Sequence, residues 1–203
     1  LSLNAQSKEI SNAINHFEVG EYQLAINEYT KALKINPSEY KAYVNRGICY
    51  RKLGQYKEAI QDYTNGLNLY PNDKIAYYDR GNSYDKLGEY QKAIKCYEKS
   101  IQINPNYANV YYNLANIMQE LKELKKAKNC YEKLISLDPT YKKGYSGYGN
   151  LLLKIAQHNK GLAYIRKGDG IIRFTEEDVK IIWGDKMKRI NINTQQTHFI
   201  GCW

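Results

Sequence analysis

The chain of 203 residues has little proline, phenylalanine or tryptophan: four Pro, three Phe and two Trp. So little proline excludes a proline-rich disordered tail, and the absence of a Gly-X-Y period excludes a collagen-like chain. Four cysteines (Cys49, Cys96, Cys130, Cys202) show no CxxC pair and no zinc-ligand spacing, so a disulfide-dense scaffold and a structural zinc site are excluded as well. No apolar run approaches the about 18 residues of a membrane-spanning helix. The chain has neither GxGxxG nor a P-loop lysine motif; Gly168-Asp169-Gly170 lacks both spacings and reads as a loop. The three histidines, His16, His158 and His198, are far apart in sequence. No nucleophile–base pair or carboxylate pair can be assembled, so catalysis is not expected and no cofactor or metal is implied.

Charge of one sign is not scarce overall, but it is unevenly spread. Lys and Arg number 30 against 21 Asp and Glu, a net charge of +9. Residues 1–141 carry 19 basic and 16 acidic side chains, whereas residues 142–203 carry 11 and five. A nearly balanced body argues against a whole-surface nucleic-acid binder, although the basic end could meet an anion. The sequence opens Leu-Ser-Leu-Asn-Ala-Gln, readable as the end of a secretory signal or as the start of a helix. The compartment is open on this reading: cytoplasmic, or secreted or periplasmic if Leu1–Gln6 is a signal remnant.

Tyrosine is abundant, with 21 residues, and its placement explains the abundance. Pro37, Pro71, Pro105 and Pro139 are each 34 residues apart. Tyr43, Tyr77, Tyr111 and Tyr145 keep the same period, as do Tyr29, Tyr63, Tyr97 and Tyr131, and Ala25, Ala59, Ala93 and Ala127. A fixed period of this size marks stacked supersecondary units. Within residues 40–71, Tyr43, Gly47, Tyr50 and Leu53 recur at three and four residues, one face of a first helix. Gly54 is a helix stop able to take positive φ. Tyr56, Ala59, Ile60, Tyr63 and Leu67 mark a second helix, and Pro71 ends the unit. Gly47, Gly81, Ala59 and Ala93 fall where two helices must approach closely. Cysteines in this setting read as small apolar packing residues, and His16 and His158, in tyrosine columns, as partly buried packing residues. Arg46 and Arg80 are expected to bury their stems and pair with a nearby acid.

The motif resembles the tetratricopeptide repeat: Tyr43, Arg46-Gly47, Tyr50, Ala59, Tyr63 and Pro71, then Tyr77, Arg80-Gly81, Tyr84, Ala93, Tyr97 and Pro105. A fourth unit reads Tyr111, Leu114-Ala115, Met118, Ala127, Tyr131 and Pro139, and the first unit keeps Ala25, Tyr29, Ala32 and Pro37. The resemblance implies an all-α fold, a right-handed α–α superhelix of helix-turn-helix units. The array would cover 6–170, in units of about 6–39, 40–73, 74–107 and 108–141 with a degenerate fifth at 142–170. Residues 171–203 would supply a C-terminal cap and tail, with Thr175 and Asp178 opening a helix lined by Val179, Ile182, Trp183 and Met187.

Such arrays bind extended peptides or helices along a concave face lined by the first helix of each pair. Carried over position by position, that face comprises Lys41, Val44, Ile48, Arg51 and Lys52 in the second unit. The third contributes Ile75, Tyr78, Asn82, Asp85 and Lys86; the fourth Asn109, Tyr112, Asn116, Gln119 and Glu120; the fifth Lys143, Asn150 and Lys154. Asn82, Asn116 and Asn150 are 34 apart, an amide ladder that offers donors and acceptors to a ligand backbone. The two-carboxylate clamp of some members is poorly matched: in the first three repeats only Asn45 fits, with Ile10, Ile14, Ile75 and Asp79 in the other places, and from the third repeat Asn82, Asn113 and Lys143 fit but Tyr78 and Gly147 replace its other two basic positions. The expected function is therefore a non-catalytic scaffold or adaptor with a protein or peptide ligand, nucleic acid being disfavoured and the oligomeric state open. Two alternatives stand beside it. One is the recognition arm of a larger enzyme; the other is an anion-binding basic end using Lys160, Arg166, Lys167, Arg173, Lys180, Lys186, Lys188 and Arg189.

Overall fold

The computed structural model describes residues 2–169. They form ten helices: α1 (Ser2–Glu18), α2 (Tyr22–Ile35), α3 (Tyr40–Lys52), α4 (Tyr56–Leu69), α5 (Lys74–Lys86), α6 (Tyr90–Ile103), α7 (Ala108–Glu120), α8 (Leu124–Leu137), α9 (Lys142–Lys154) and α10 (His158–Asp169). The described residues contain no strand and no helix long and apolar enough to cross a membrane. The chain divides into two compact units, with the boundary between Val110 and Tyr111 inside α7. The expected cap helix behind Thr175, the basic residues from Arg173 to Arg189, His198 and Cys202 lie outside the described residues.

The periodic residues build the packing. Ala25, Ala59, Ala93 and Ala127 have no exposed surface, and Tyr29, Tyr63, Tyr97 and Tyr131 expose at most 1%. Each tyrosine lies on the second helix of a hairpin and faces a small residue on the first. A Cβ built on Gly81 would sit 2.6 Å from the Tyr97 ring. That distance explains the glycine: any side chain there would push the two helices apart.

Turn chemistry closes each repeat. The side chains of Asn36, Asn104 and Asp138 accept from the backbone N–H of the residue two positions on, at 3.0, 3.0 and 2.9 Å. Proline occupies the position between, so a pre-set φ and an Asx turn act together to stop the second helix. At the corresponding start of α5, Asp73 caps the backbone N–H groups of Ile75 and Ala76 at 2.8 and 3.0 Å. The hairpin turn within a repeat needs a left-handed residue, and Gly54 supplies it with φ +76°.

The cysteines behave as packing residues. Cys49, Cys96 and Cys130 are free thiols, the first two buried. Burial pushes the Cys49 and Cys130 thiols up to about 11, so both are neutral and unreactive near pH 7. His16 is half-buried with Nδ1 2.6 Å from a Glu21 carboxylate oxygen, and His158 is half-buried at the start of α10.

The two arginines at positions 46 and 80 differ. Arg46 donates twice to the buried Asp62 carboxylate, both bonds at 2.7 Å, and once to Thr30 at 2.9 Å. It thereby ties α3 to the helices 16 residues before and after it. Burial raises the Asp62 carboxyl while Arg46 pulls it back. Arg80 does not find the acid expected for it. It donates to Thr64 at 3.2 Å and lies over the Tyr77 ring at 5.1 Å, but its buried Nε has no partner. The reason is one substitution in the period: Cys96 stands where Asp62 stood one repeat earlier.

Candidate functional site

In the first unit, residues from α3, α5 and the start of α7 supply the candidate face. Lys41, Lys52 and Lys86 are exposed, while Ile48, Asp85 and Asn109 are half-buried. Val44 is a correction: only 7% exposed, it packs with Ala59, Tyr63, Leu67 and Ala76 in the core and leaves no surface for a partner. Arg51 reaches 3.3 Å from the Asp79 carboxylate and 3.4 Å from the Tyr63 hydroxyl. Burial raises the Asp79 carboxyl above the ordinary carboxylate range, against the pull of Arg51. Tyr78 packs its ring 6.0 Å from Tyr97 and 5.2 Å from Tyr107, centre to centre.

The amide ladder is more committed than its sequence implies. Tyr97 donates its hydroxyl to the Asn82 side-chain oxygen at 2.8 Å, and Asn82 in turn donates to Asp79 at 3.4 Å. In the second unit, Tyr131 donates to the Asn116 oxygen at 2.7 Å, and Gln119 donates to the Tyr131 hydroxyl at 2.8 Å. The expectation that each amide offers both its groups to a ligand is therefore corrected at Asn82 and Asn116. Their oxygens satisfy the hydroxyls of buried tyrosines, which could not otherwise be desolvated cheaply. Asn150 is exposed.

The second unit contains an open recess of about 370 Å³. Six of the residues carried over by position line it: Tyr112, Asn116, Gln119, Lys143, Asn150 and Lys154. Tyr112 forms one wall, its ring 6.4 Å from Tyr131 and 5.5 Å from Tyr141. This repeats the Tyr78 cluster of the first unit one period later. Four further lining residues were not among those placed on the face from the sequence: Tyr131, Ser146, Gly147 and Asp169. Ser146 shares a column with Val44, Tyr78 and Tyr112, so the period could have found it. Asp169 could not be found that way, because it reaches Ser146 across 23 residues and accepts the Ser146 hydroxyl. Among the described residues, no three His, Cys, Asp or Glu side chains gather as a metal site would require.

Family models described as tetratricopeptide repeat match residues 6–39, 40–73, 75–107 and 96–129. No curated protein matches the sequence. Among solved structures, a crystal structure of MamA is 26% identical with a TM-score of 0.74, covering 78% of this chain and 92% of its own. PilF of Pseudomonas aeruginosa is 18% identical with a TM-score of 0.75, covering 89% and 82%. YrrB, described as a TPR protein with an unusual peptide-binding site, is 21% identical with a TM-score of 0.68, covering 88% and 90%. The fold class is all-α, an α–α superhelix of helix-turn-helix units. With four successive matches spanning most of the described helices, the chain belongs to the tetratricopeptide repeat family.

Proposed function

We propose that this protein is a non-catalytic scaffold whose first-helix faces dock an extended or helical segment of another protein. Family membership supports a protein-interaction scaffold, and the peptide-binding description of YrrB supports a polypeptide as the ligand. The observation that carries the reading is the recess of the second unit. Six side chains from α7 and α9, each at a position where the family presents ligand contacts, line one open cavity with two tyrosine rings. Rings supply area at little entropic cost, and the amides between them supply polar contacts to a peptide backbone. In the first unit the corresponding face comprises Lys41, Ile48, Arg51, Lys52, Tyr78, Asn82, Asp85, Lys86 and Asn109, without Val44.

The test is selection of peptides from a random displayed library on the full chain, followed by affinity measurement on variants. Ile48→Asp and Asn150→Ala alter the proposed faces without removing a buried hydrogen bond. Lys57→Ala and Lys95→Ala, on exposed positions of α4 and α6, serve as controls. Loss of binding in either of the first pair and retention in the second is expected. Selected peptides that bind all four variants as they bind the wild type would overturn the assignment.

A further inference from the structure

We infer that the outward faces of α8 and α10 form a lysine-lined surface which docks the protein on an anionic lipid membrane. None of the cations that build this surface lines the recess, and the inference does not rest on the polypeptide-binding reading.

Charge is unevenly distributed over the second helices of the repeats. Helices α8 and α10 hold seven basic and two acidic side chains, whereas α2 and α4 hold three of each. On α8, Lys125, Lys126 and Lys133 are exposed, as is Lys122 in the turn before it. On α10, Lys160, Arg166 and Lys167 are exposed. Lys126 and Lys160 occupy one column of the repeat, and Lys133 and Lys167 another. Seven residues are close to two helical turns, so the two lysines of each helix stand about 10 Å apart on the same side. Equivalent positions on equivalent helices then set the two pairs side by side, a four-cornered patch within the second unit. In the first unit Lys92 and Lys99 of α6 keep both columns, but Leu24, Glu58 and Asn65 interrupt them in α2 and α4.

The neighbouring acids leave most of this charge uncancelled. Glu132 accepts the Tyr148 hydroxyl at 2.6 Å and Asp169 accepts that of Ser146, both donors on α9. Lys128 lies 3.8 Å from Glu132, and Lys126 pairs with Glu123 just before the start of its helix. Such exposed pairs are weak and yield to a stronger field. Lys167 lies over the Tyr145 ring at 4.2 Å, a contact that leaves its charge intact. Asn129, Ser136 and Ala163, exposed among the cations, add no large apolar side chain, so the attraction is electrostatic. A lipid surface answers such a patch because it spreads many headgroup charges over one plane within reach of flexible lysine stems. Nucleic acid suits it less. No aromatic ring is exposed on the described residues of the second unit to stack on a base. Six of the seven exposed cations are lysines, which cannot grip a phosphate bidentately as arginine does.

The probe is a phosphatidylcholine vesicle carrying about 30% phosphatidylserine, with pure phosphatidylcholine as its counterpart, cosedimented with the full chain. At about 50 mM salt the phosphatidylserine vesicles are expected to bind at least about tenfold tighter, and about 300 mM salt should remove the difference. Lys126→Gln with Lys133→Gln, and separately Lys160→Gln with Lys167→Gln, should each weaken that binding by about ten- to thirtyfold. Lys34→Gln with Lys57→Gln, at exposed positions of α2 and α4, removes the same charge elsewhere and should weaken it by no more than about threefold. All six side chains are exposed, so helix content and melting temperature should stay near wild-type values, and the two patch pairs on separate helices check one another. Equal binding to the two vesicles, binding to neither, patch variants that bind as wild type does, or equal losses in all three double variants would overturn the inference. Tighter binding of a DNA duplex than of phosphatidylserine vesicles, lost in the same patch variants, would overturn it in favour of nucleic acid.

Discussion

Up to Val110, the paired columns of Arg46 and Asp62 carry buried charge; from Tyr111 onward, the same columns hold apolar or aromatic side chains. Arg46 meets Asp62 and Thr30; two periods later the same pair of columns holds Leu114 and Cys130, and one period beyond that Tyr148 packs its ring 4.8 Å from Tyr164. Arg51 meets Asp79, whereas its column in the second unit holds Gln119, which donates to the Tyr131 hydroxyl, and Leu153. The helix stops diverge in the same direction. Gly20, Gly54 and Gly88 take φ of +84°, +76° and +72°, but the matching positions of the second unit are Lys122 at +59° and Ala156 at +61°. A repeat therefore fixes the hairpin while leaving the interface chemistry free to vary.

The largest expected difference between the units comes from the shared interface column. Asp62→Ala leaves the buried Arg46 without its carboxylate and should lower stability by about 3–5 kcal/mol in urea unfolding followed by circular dichroism. Cys130→Ala, in the same column but facing Leu114, strands no charge and should lose no more than about 1–2 kcal/mol. Equal losses would mean that the columns do not differ as argued.

Cys96→Asp should move the third repeat toward the second. It offers the unpartnered Arg80 Nε the acceptor that Arg46 enjoys, and a gain of about 1 kcal/mol is expected in the same measurement. A loss would show that Arg80 is already satisfied through its bond to Thr64 and the Tyr77 ring.

Smaller again is the effect of the stops. Lys122→Gly and Ala156→Gly relieve left-handed strain of about 1–2 kcal/mol, offset in part by the entropy of glycine, for a net gain of about 0.5–1 kcal/mol each. Gly54→Ala should lose a similar amount, and thermal melting of the three variants checks both signs.

The smallest effect is one of pH. Burial holds the Asp79 carboxyl above its unfolded value, so its contribution to stability is fully present below the unfolded value and is lost as pH rises through the folded one. Wild type should therefore gain on Asp79→Asn as pH is lowered from neutral into the carboxylate range. Urea midpoints of both proteins across that range would test it; parallel curves would show that Arg51 cancels the cost of burial.

Much of this was legible in the residues. Proline recurring every 34 positions, with an Asx residue before it in every repeat but the second, announces where each second helix stops, and Ala and Tyr columns announce which faces meet, because an identical unit must bury an identical stripe. Six of the positions carried over by the period line the recess together for the same reason. Val44 was misplaced because its column lies at the border between face and core: a small aliphatic chain falls inward there, while Tyr78 and Tyr112 are long enough to lie along the surface. The engagement of Asn82 and Asn116 was hidden because their partners, Tyr97 and Tyr131, lie 15 residues away in a different column.

What the sequence by itself determined is the class of structure: hairpins of fixed length, their turns, and the buried tyrosine and alanine layers, all consequences of local stereochemistry repeated at a constant interval. The tertiary structure decided which polar groups are answered inside and which are not. Arg46 with Asp62, Arg80 with Thr64 and Ser146 with Asp169 depend on side chains from different columns coming within about 3 Å of one another. A period specifies equivalence between repeats; only packing brings non-equivalent residues together.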